Sequence, residues 1–143
     1  MNNELQQRID KIQEICGAWG LYEPGNSSVA KQQLKAVEEI GEIAKWHLKG
    51  NKEEVMDGVG DVFVCWVNAA QLGGPELINY TGHRTPKIDQ LIINIQSNVP
   101  DLSDLIYIAK HYNLTLLECI DAAIEVISKR KGRLINKVFV KDE

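Results

Sequence analysis

The chain has 143 residues, 44% hydrophobic and 25% charged, a mixture that fits one soluble globular domain with a core of its own. A formal net charge of -4 excludes a broadly basic surface, so nucleic acid and membrane are not expected partners. No apolar run approaches the roughly 18 residues that span a bilayer, and the polar start Met1-Asn2-Asn3-Glu4-Leu5 lacks a signal-peptide core, so the chain reads as cytoplasmic.

In chain order, a first helix is expected over 3–19, broken by Gly20, Pro24, Gly25 and Asn26. Ser27 or Ser28 caps a second helix over 28–49, which stops at Gly50-Asn51. A third covers 52–72 and ends at Gly73-Gly74-Pro75. Residues 76–85 read as a loop. A fourth helix is expected over 86–98, and Pro100-Asp101 restarts the chain into a fifth over 102–112. Thr115 caps the last, 115–131, which Gly132 ends; the tail, 134–143, can pair as a short strand or hairpin. Strands are otherwise scarce, so the class is all-α, a single helical bundle over 1–143. Cys16, Cys65 and Cys119 are odd in number and form no CxxC pair, so buried free thiols are expected rather than zinc or a disulfide framework.

On the second helix Leu34, Val37, Gly41, Ala44 and Leu48 make one apolar stripe, and Ala36, Ile40 and Ile43 a second apolar edge. Glu39 and Glu42 share the arc between them, and Gly41 allows a neighbouring helix to approach. The third helix is apolar on nearly every side, the mark of a buried helix, yet Glu54, Asp57, Asp61 and Asn68 fall on one narrow stripe of it. Carboxylates of two buried helix faces repel one another unless a cation sits between them. An all-oxygen, multi-carboxylate site suits magnesium or manganese rather than zinc. The plainer reading of Glu38, Glu39 and Glu42 is a solvated face paired with Lys35 and Lys45. For Asp61 the competing explanation is a buried salt bridge to a lysine.

These residues resemble the MazG-like branch of the all-α nucleoside triphosphate pyrophosphatases. The family pairs Glu-Glu-x-x-Glu on one helix with Glu-x-x-Asp on the next. The first half is Glu38-Glu39-Ile40-Gly41-Glu42, and the second centres on Gly60-Asp61-Val62 followed by Val67-Asn68-Ala69-Ala70, so the likeness covers about 32–72. The ending Ser128-Lys129-Arg130-Lys131-Gly132-Arg133 also resembles small MazG-like proteins of phages and their hosts. The chain departs from the pattern at Gly58, where the family has Glu; Asp57 or Glu54 is then the fourth carboxylate. The segment 75–100 is a second departure and receives no role.

The resemblance implies hydrolysis between the α- and β-phosphates of a nucleoside triphosphate, giving the monophosphate and pyrophosphate. It implies Mg2+, with Mn2+ as substitute, on Glu39, Glu42, Asp57 and Asp61. Glu38 or Glu39 would orient or deprotonate the attacking water. Lys129, Arg130 and Lys131 would bind phosphates, against the plain alternative of a basic helix C-terminus. Lys35 and Asn68 are further substrate candidates, and Trp46 is a candidate for stacking on a base. His47, His83 and His111 read as ordinary surface or packing residues. A homodimer or homotetramer is implied, with Trp66, Val67 and Ala70 as surplus apolar surface unless a single four-helix core buries them. The rival readings are a non-catalytic helical interaction module whose acids form salt bridges, and a dUTPase-like or phosphoribosyl-ATP pyrophosphohydrolase-like activity.

Overall fold

A computed structural model describes residues 2–79, 87–95 and 99–142. Its helices are α1 (Asn3–Ala18), α2 (Val29–Leu48), α3 (Lys52–Gln71), α4 (Ile88–Asn94), α5 (Leu102–His111) and α6 (Leu116–Ser128). A two-stranded antiparallel hairpin, β1 (Gly132–Ile135) and β2 (Val138–Lys141), follows. The protein is thus mostly helical, with a small sheet at its C-terminal end.

Polar side chains set the helix starts by bonding first-turn amides that have no partner inside the helix. Asn2 accepts from the Leu5 amide, Ser28 from Lys31 and Asn51 from Glu54. Asp101 accepts from Ser103, and Thr115 forms a reciprocal capping box with Glu118. Ser28 is therefore the cap of α2, while the Ser27 hydroxyl bonds the Gln32 side chain.

α3 is the central element. It packs on α1, α2, α5 and α6, and Val55, Val59, Val62, Phe63 and Val67 along it are fully buried. The turn through Gly50, left-handed at φ 69°, folds α2 and α3 antiparallel. Two glycines set how closely α3 meets its neighbours. A Cβ on Gly58 would stand 2.6 Å from Ile43 Cγ1 of α2. A Cβ on Gly60 would stand 2.3 Å from the Cys119 carbonyl oxygen of α6. The glycine at the departure from the family motif thus admits α2: a glutamate at Gly58 would collide with the Ile43 side chain.

Three expectations change. The buried face of α2 is Gln32, Ala36, Ile40 and Ile43, so the second apolar edge faces the core. The other stripe faces outward: Leu34 is 70% and Leu48 83% exposed, and among the described residues nothing lies within 4 Å of where a Gly41 Cβ would stand. Trp66, only 7% exposed, and Val67 pack inside the core and are not surplus surface. Finally, α6 ends at Ser128 rather than 131, because the chain turns there into the hairpin. Of the expected helix over 86–98, Ile88–Asn94 is helical, while 86 and 96–98 lie outside the described residues.

The hairpin turns through Asn136 and Lys137, both left-handed at φ 51° and 70°, as a two-residue turn between twisted strands requires. It is anchored to the end of α1. The Leu134 amide donates to the Trp19 carbonyl at 2.6 Å, and Phe139 meets the Trp19 ring edge-on with centroids 5.2 Å apart. All three cysteines are free and buried, and no described helix is long and apolar enough to cross a membrane.

Candidate functional site

Antiparallel pairing of α2 and α3 fixes which residues face each other. Glu39 faces Asp61 near the middle, close enough that each shifts the other's carboxyl. Lys35 and Glu38 lie within one turn of Glu39 on α2. Together with Arg130 from the end of α6 and Trp19 from the end of α1, they surround a cleft of about 160 Å³. Its lining also includes Gln32, Asn68, Cys16 and Cys65.

The electrostatics of this cleft are dominated by its acids. The Glu39 carboxyl is pushed up to about 7, first by burial and then by the charges of Asp61, Glu38 and Glu42. Asp61 is pushed up to about 6 by burial and by Asp57, while Arg130 opposes the shift. Their mutual contact raises Glu39 and lowers Asp61, so Glu39 is the more readily protonated of the two. Asp57 is also raised, by burial and by Glu53. Burial pushes the nearby Cys65 thiol up to about 12, so it stays protonated and is no nucleophile at neutral pH.

Of the residues singled out in the sequence, Lys35, Glu38, Glu39, Asp61, Asn68 and Arg130 are brought together here. Glu42 instead accepts a bond from Trp46 Nε1 at 3.1 Å. Asp57 is exposed, one turn from Asp61 along α3. Trp46 lies beneath the ammonium groups of Lys45 and Lys49, 4.7 and 5.2 Å from its ring centroid, and does not line the cleft. Lys129 pairs with Glu125 at 2.8 Å, and neither it nor Lys131 lines the cleft. The aromatic at the cleft is Trp19, which sequence reasoning missed. It lies outside the acidic motif, and only the fold carries the end of α1 there.

Among the described residues, none of Glu38, Glu39, Glu42, Asp57 and Asp61 forms an ion pair with lysine, arginine or histidine. Nor do any three Asp, Glu, His or Cys side chains among them converge as a ready metal cage. The donor chemistry does suit a hard divalent cation. The two facing carboxyls are all-oxygen donors, and burial with neighbouring carboxylates disfavours their ionised forms, a cost that a cation would offset.

His47 stands apart from the cleft. Its Nδ1 contacts the Tyr112 hydroxyl and its Nε2 the Asp89 carboxylate at 2.8 Å, with His111 edge-on to its ring. It ties α2 to α4 and α5, a packing role. His83 lies outside the described residues.

Fold and site together define a helical-bundle protein with an acid-floored, cation-rimmed cleft. No protein-family model, no curated protein and no solved structure matches the chain.

Proposed function

We propose that the protein is a metal-dependent nucleoside triphosphate pyrophosphohydrolase, converting a (d)NTP to the (d)NMP and pyrophosphate in the manner of nucleotide-pool housecleaning enzymes. The observation that carries this reading is the Glu39–Asp61 pair, two facing carboxyls both pushed toward the protonated form, with Lys35 and Arg130 in the same cleft. Carboxylates that repel one another call for a divalent cation, and cations on the rim suit phosphate oxygens. The acids without ion pairs among the described residues also weigh against the salt-bridged interaction module.

Glu39 and Asp61 would hold Mg2+ or Mn2+, with Glu42 and Asp57 one turn away on the same helices as further ligands. The bound cation supplies charge neutralisation on the phosphate oxygens. Glu38, exposed beside the pair, orients the attacking water and takes its proton as the bond to the α-phosphorus forms. The bond from the α-phosphorus to the bridging oxygen breaks, and pyrophosphate leaves. Arg130 and Lys35 pair with the charge on the phosphates.

A homodimer or homotetramer belongs to this reading, with the interface moved from Trp66 and Val67 to the outward stripe of α2. Leu34 and Val37 line an apolar groove of about 270 Å³ between α2 and the segment around Pro75 and Pro100. Exposed aliphatic groups beside such a groove suit a second copy.

The deciding experiment is a panel of common and modified nucleotides, including dUTP and phosphoribosyl-ATP, assayed with magnesium for monophosphate and pyrophosphate together. No release from any of them at high enzyme concentration favours the interaction module.

A further inference from the structure

Glu39 and Asp61 occupy one level of the α2–α3 pair. Gln32 and Asn68 line the same cleft, each two helical turns further along its own helix, a shift of about 10 Å. Both carboxamides are almost fully buried, at 3% and 4% exposure. Buried amides ordinarily satisfy all their groups within the protein. These two do not. Gln32 Nε2 donates to Ser27 Oγ at 2.9 Å, yet Gln32 Oε1 accepts no bond from the described residues. No described side-chain polar atom is both sealed from solvent and unbonded, so this oxygen opens onto the cleft. Asn68 Oδ1 accepts from the Tyr22 hydroxyl, and Asn68 Nδ2 spends one hydrogen on Cys16 Sγ at 3.5 Å. Its second amide hydrogen has no acceptor among the described residues.

This end of the cleft therefore offers an open acceptor on Gln32, beside an Asn68 amide with one hydrogen that no described residue accepts. Beside them stands Trp19, partly exposed, its ring met edge-on by Phe139 and its backbone carbonyl bonded by the Leu134 amide. A donor and an acceptor next to an aromatic ring match the edge and face of a flat heterocycle. The cleft, at about 160 Å³, takes one ring system rather than a whole nucleotide. The spacing along the helices leaves the phosphates at the acidic level.

We propose that Gln32, Asn68 and Trp19 form a nucleobase subsite, with the two carboxamides reading the base edge, Trp19 stacking on its face, and the C-terminal hairpin positioning Trp19 through Phe139. This rests on the nucleotide reading above and assigns the specificity that reading leaves open.

Calorimetry on the full chain with manganese tests it, using α,β-methylene analogues of dATP, dCTP, dGTP and dTTP beside inorganic tripolyphosphate. The wild type should bind at least one analogue roughly 10-fold tighter than tripolyphosphate, and Trp19→Ala should weaken that analogue by roughly 5- to 100-fold. Tripolyphosphate affinity should not change, and Trp19→Phe should recover most of the loss. Gln32→Ala and Asn68→Ala should flatten the ratios among the four bases, which a merely structural defect would leave intact. Equal losses for analogue and tripolyphosphate, or base ratios unchanged in both carboxamide variants, overturn the subsite. Trp19 is partly exposed, so its variants carry the test where a carboxamide variant fails to fold. A wild type that binds tripolyphosphate and the analogues alike removes the subsite and leaves the phosphate reading standing. A wild type that binds neither removes both.

Discussion

Glu39 and Asp61 face each other across the α2–α3 interface, and burial pushes both carboxyls upward, Asp61 adding to the rise at Glu39 and Asp57 to the rise at Asp61. Folding brings the two carboxyls together at a half-buried point where neither has a lysine or arginine ion pair among the described residues. Their ordinary values of 4.5 and 3.8 move to about 7 and about 6.

The first prediction follows from the sign of these shifts. Between the unfolded and folded values the native state binds more protons than the unfolded chain, so stability falls as pH rises. Metal-free protein should therefore lose stability from near pH 4 up to about 7, and level off above. A divalent cation would bind the ionised carboxyls, so its stabilising effect should grow over the same window. Thermal melts across pH, with chelator and with manganese, check both slopes. A flat profile in chelator would show that the pair does not titrate as described.

Asp61→Ala should abolish manganese binding by calorimetry while making the chelated protein more stable near neutral pH, since it removes a carboxyl whose ionised form burial and Asp57 disfavour. Equal affinity in wild type and variant would remove Asp61 from the site. Asp57, one turn along, has its carboxyl raised by burial and by Glu53. Asp57→Asn should lower turnover by roughly 100-fold or more through the lost ligand charge, whereas the exposed Glu54→Gln should be mild. The opposite ranking would make Glu54 the fourth carboxylate.

Among the cations, Arg130→Ala should raise KM and lower kcat, because Arg130 alone of Lys129, Arg130 and Lys131 lines the cleft. Lys129→Ala should cost little, since its partner is the exposed Glu125 one helical turn away. Steady-state kinetics on the best substrate decides it; equal effects would point to a diffuse electrostatic role.

Placing the glutamate of the MazG-like pattern at position 58 should unfold the protein rather than improve it. Gly58→Ala should destabilise by about 1–3 kcal/mol through overpacking against Ile43, and Ile43→Ala, which removes the clashing Cγ1, should relieve part of that. Gly60→Ala should be worse, because its clash is with the Cys119 backbone carbonyl, which cannot rotate away. Gly58→Glu should not fold. Urea melts give the order, and a well-folded Gly58→Glu would refute this account of the departure.

Leu34→Glu and Val37→Glu should convert an oligomer to a monomer in light scattering without lowering the melting temperature of the monomer, because both side chains face outward. A wild type that is already a clean monomer would overturn the oligomer.

Much of this protein is set by local rules. Helix starts at Ser28, Asn51 and Thr115 follow from side chains that cap amides, and the stops near Gly50 and Gly73 from residues that tolerate left-handed backbone. The burial of α3 is legible because nearly every position from Val59 to Ala70 is apolar or small. Asp61 stands out against that background, and its spacing from Asn68 places both on one face. All of this information lies within a few turns of one helix, where 3.6-residue geometry is fixed by the backbone itself.

What only the tertiary structure decided is which of two possible faces meets a neighbour. α2 carries two apolar edges, and periodicity cannot say that Ala36, Ile40 and Ile43 go inward while Leu34 and Leu48 stay out. The choice is made by the approach of α3 at Gly58, a contact between distant residues. In the same way Trp19 joins the cleft and Trp46 does not, because α1 and the hairpin close over one side of the α2–α3 pair. Helix geometry is a property of neighbours in sequence; a cleft is built by elements that meet only after the chain has folded.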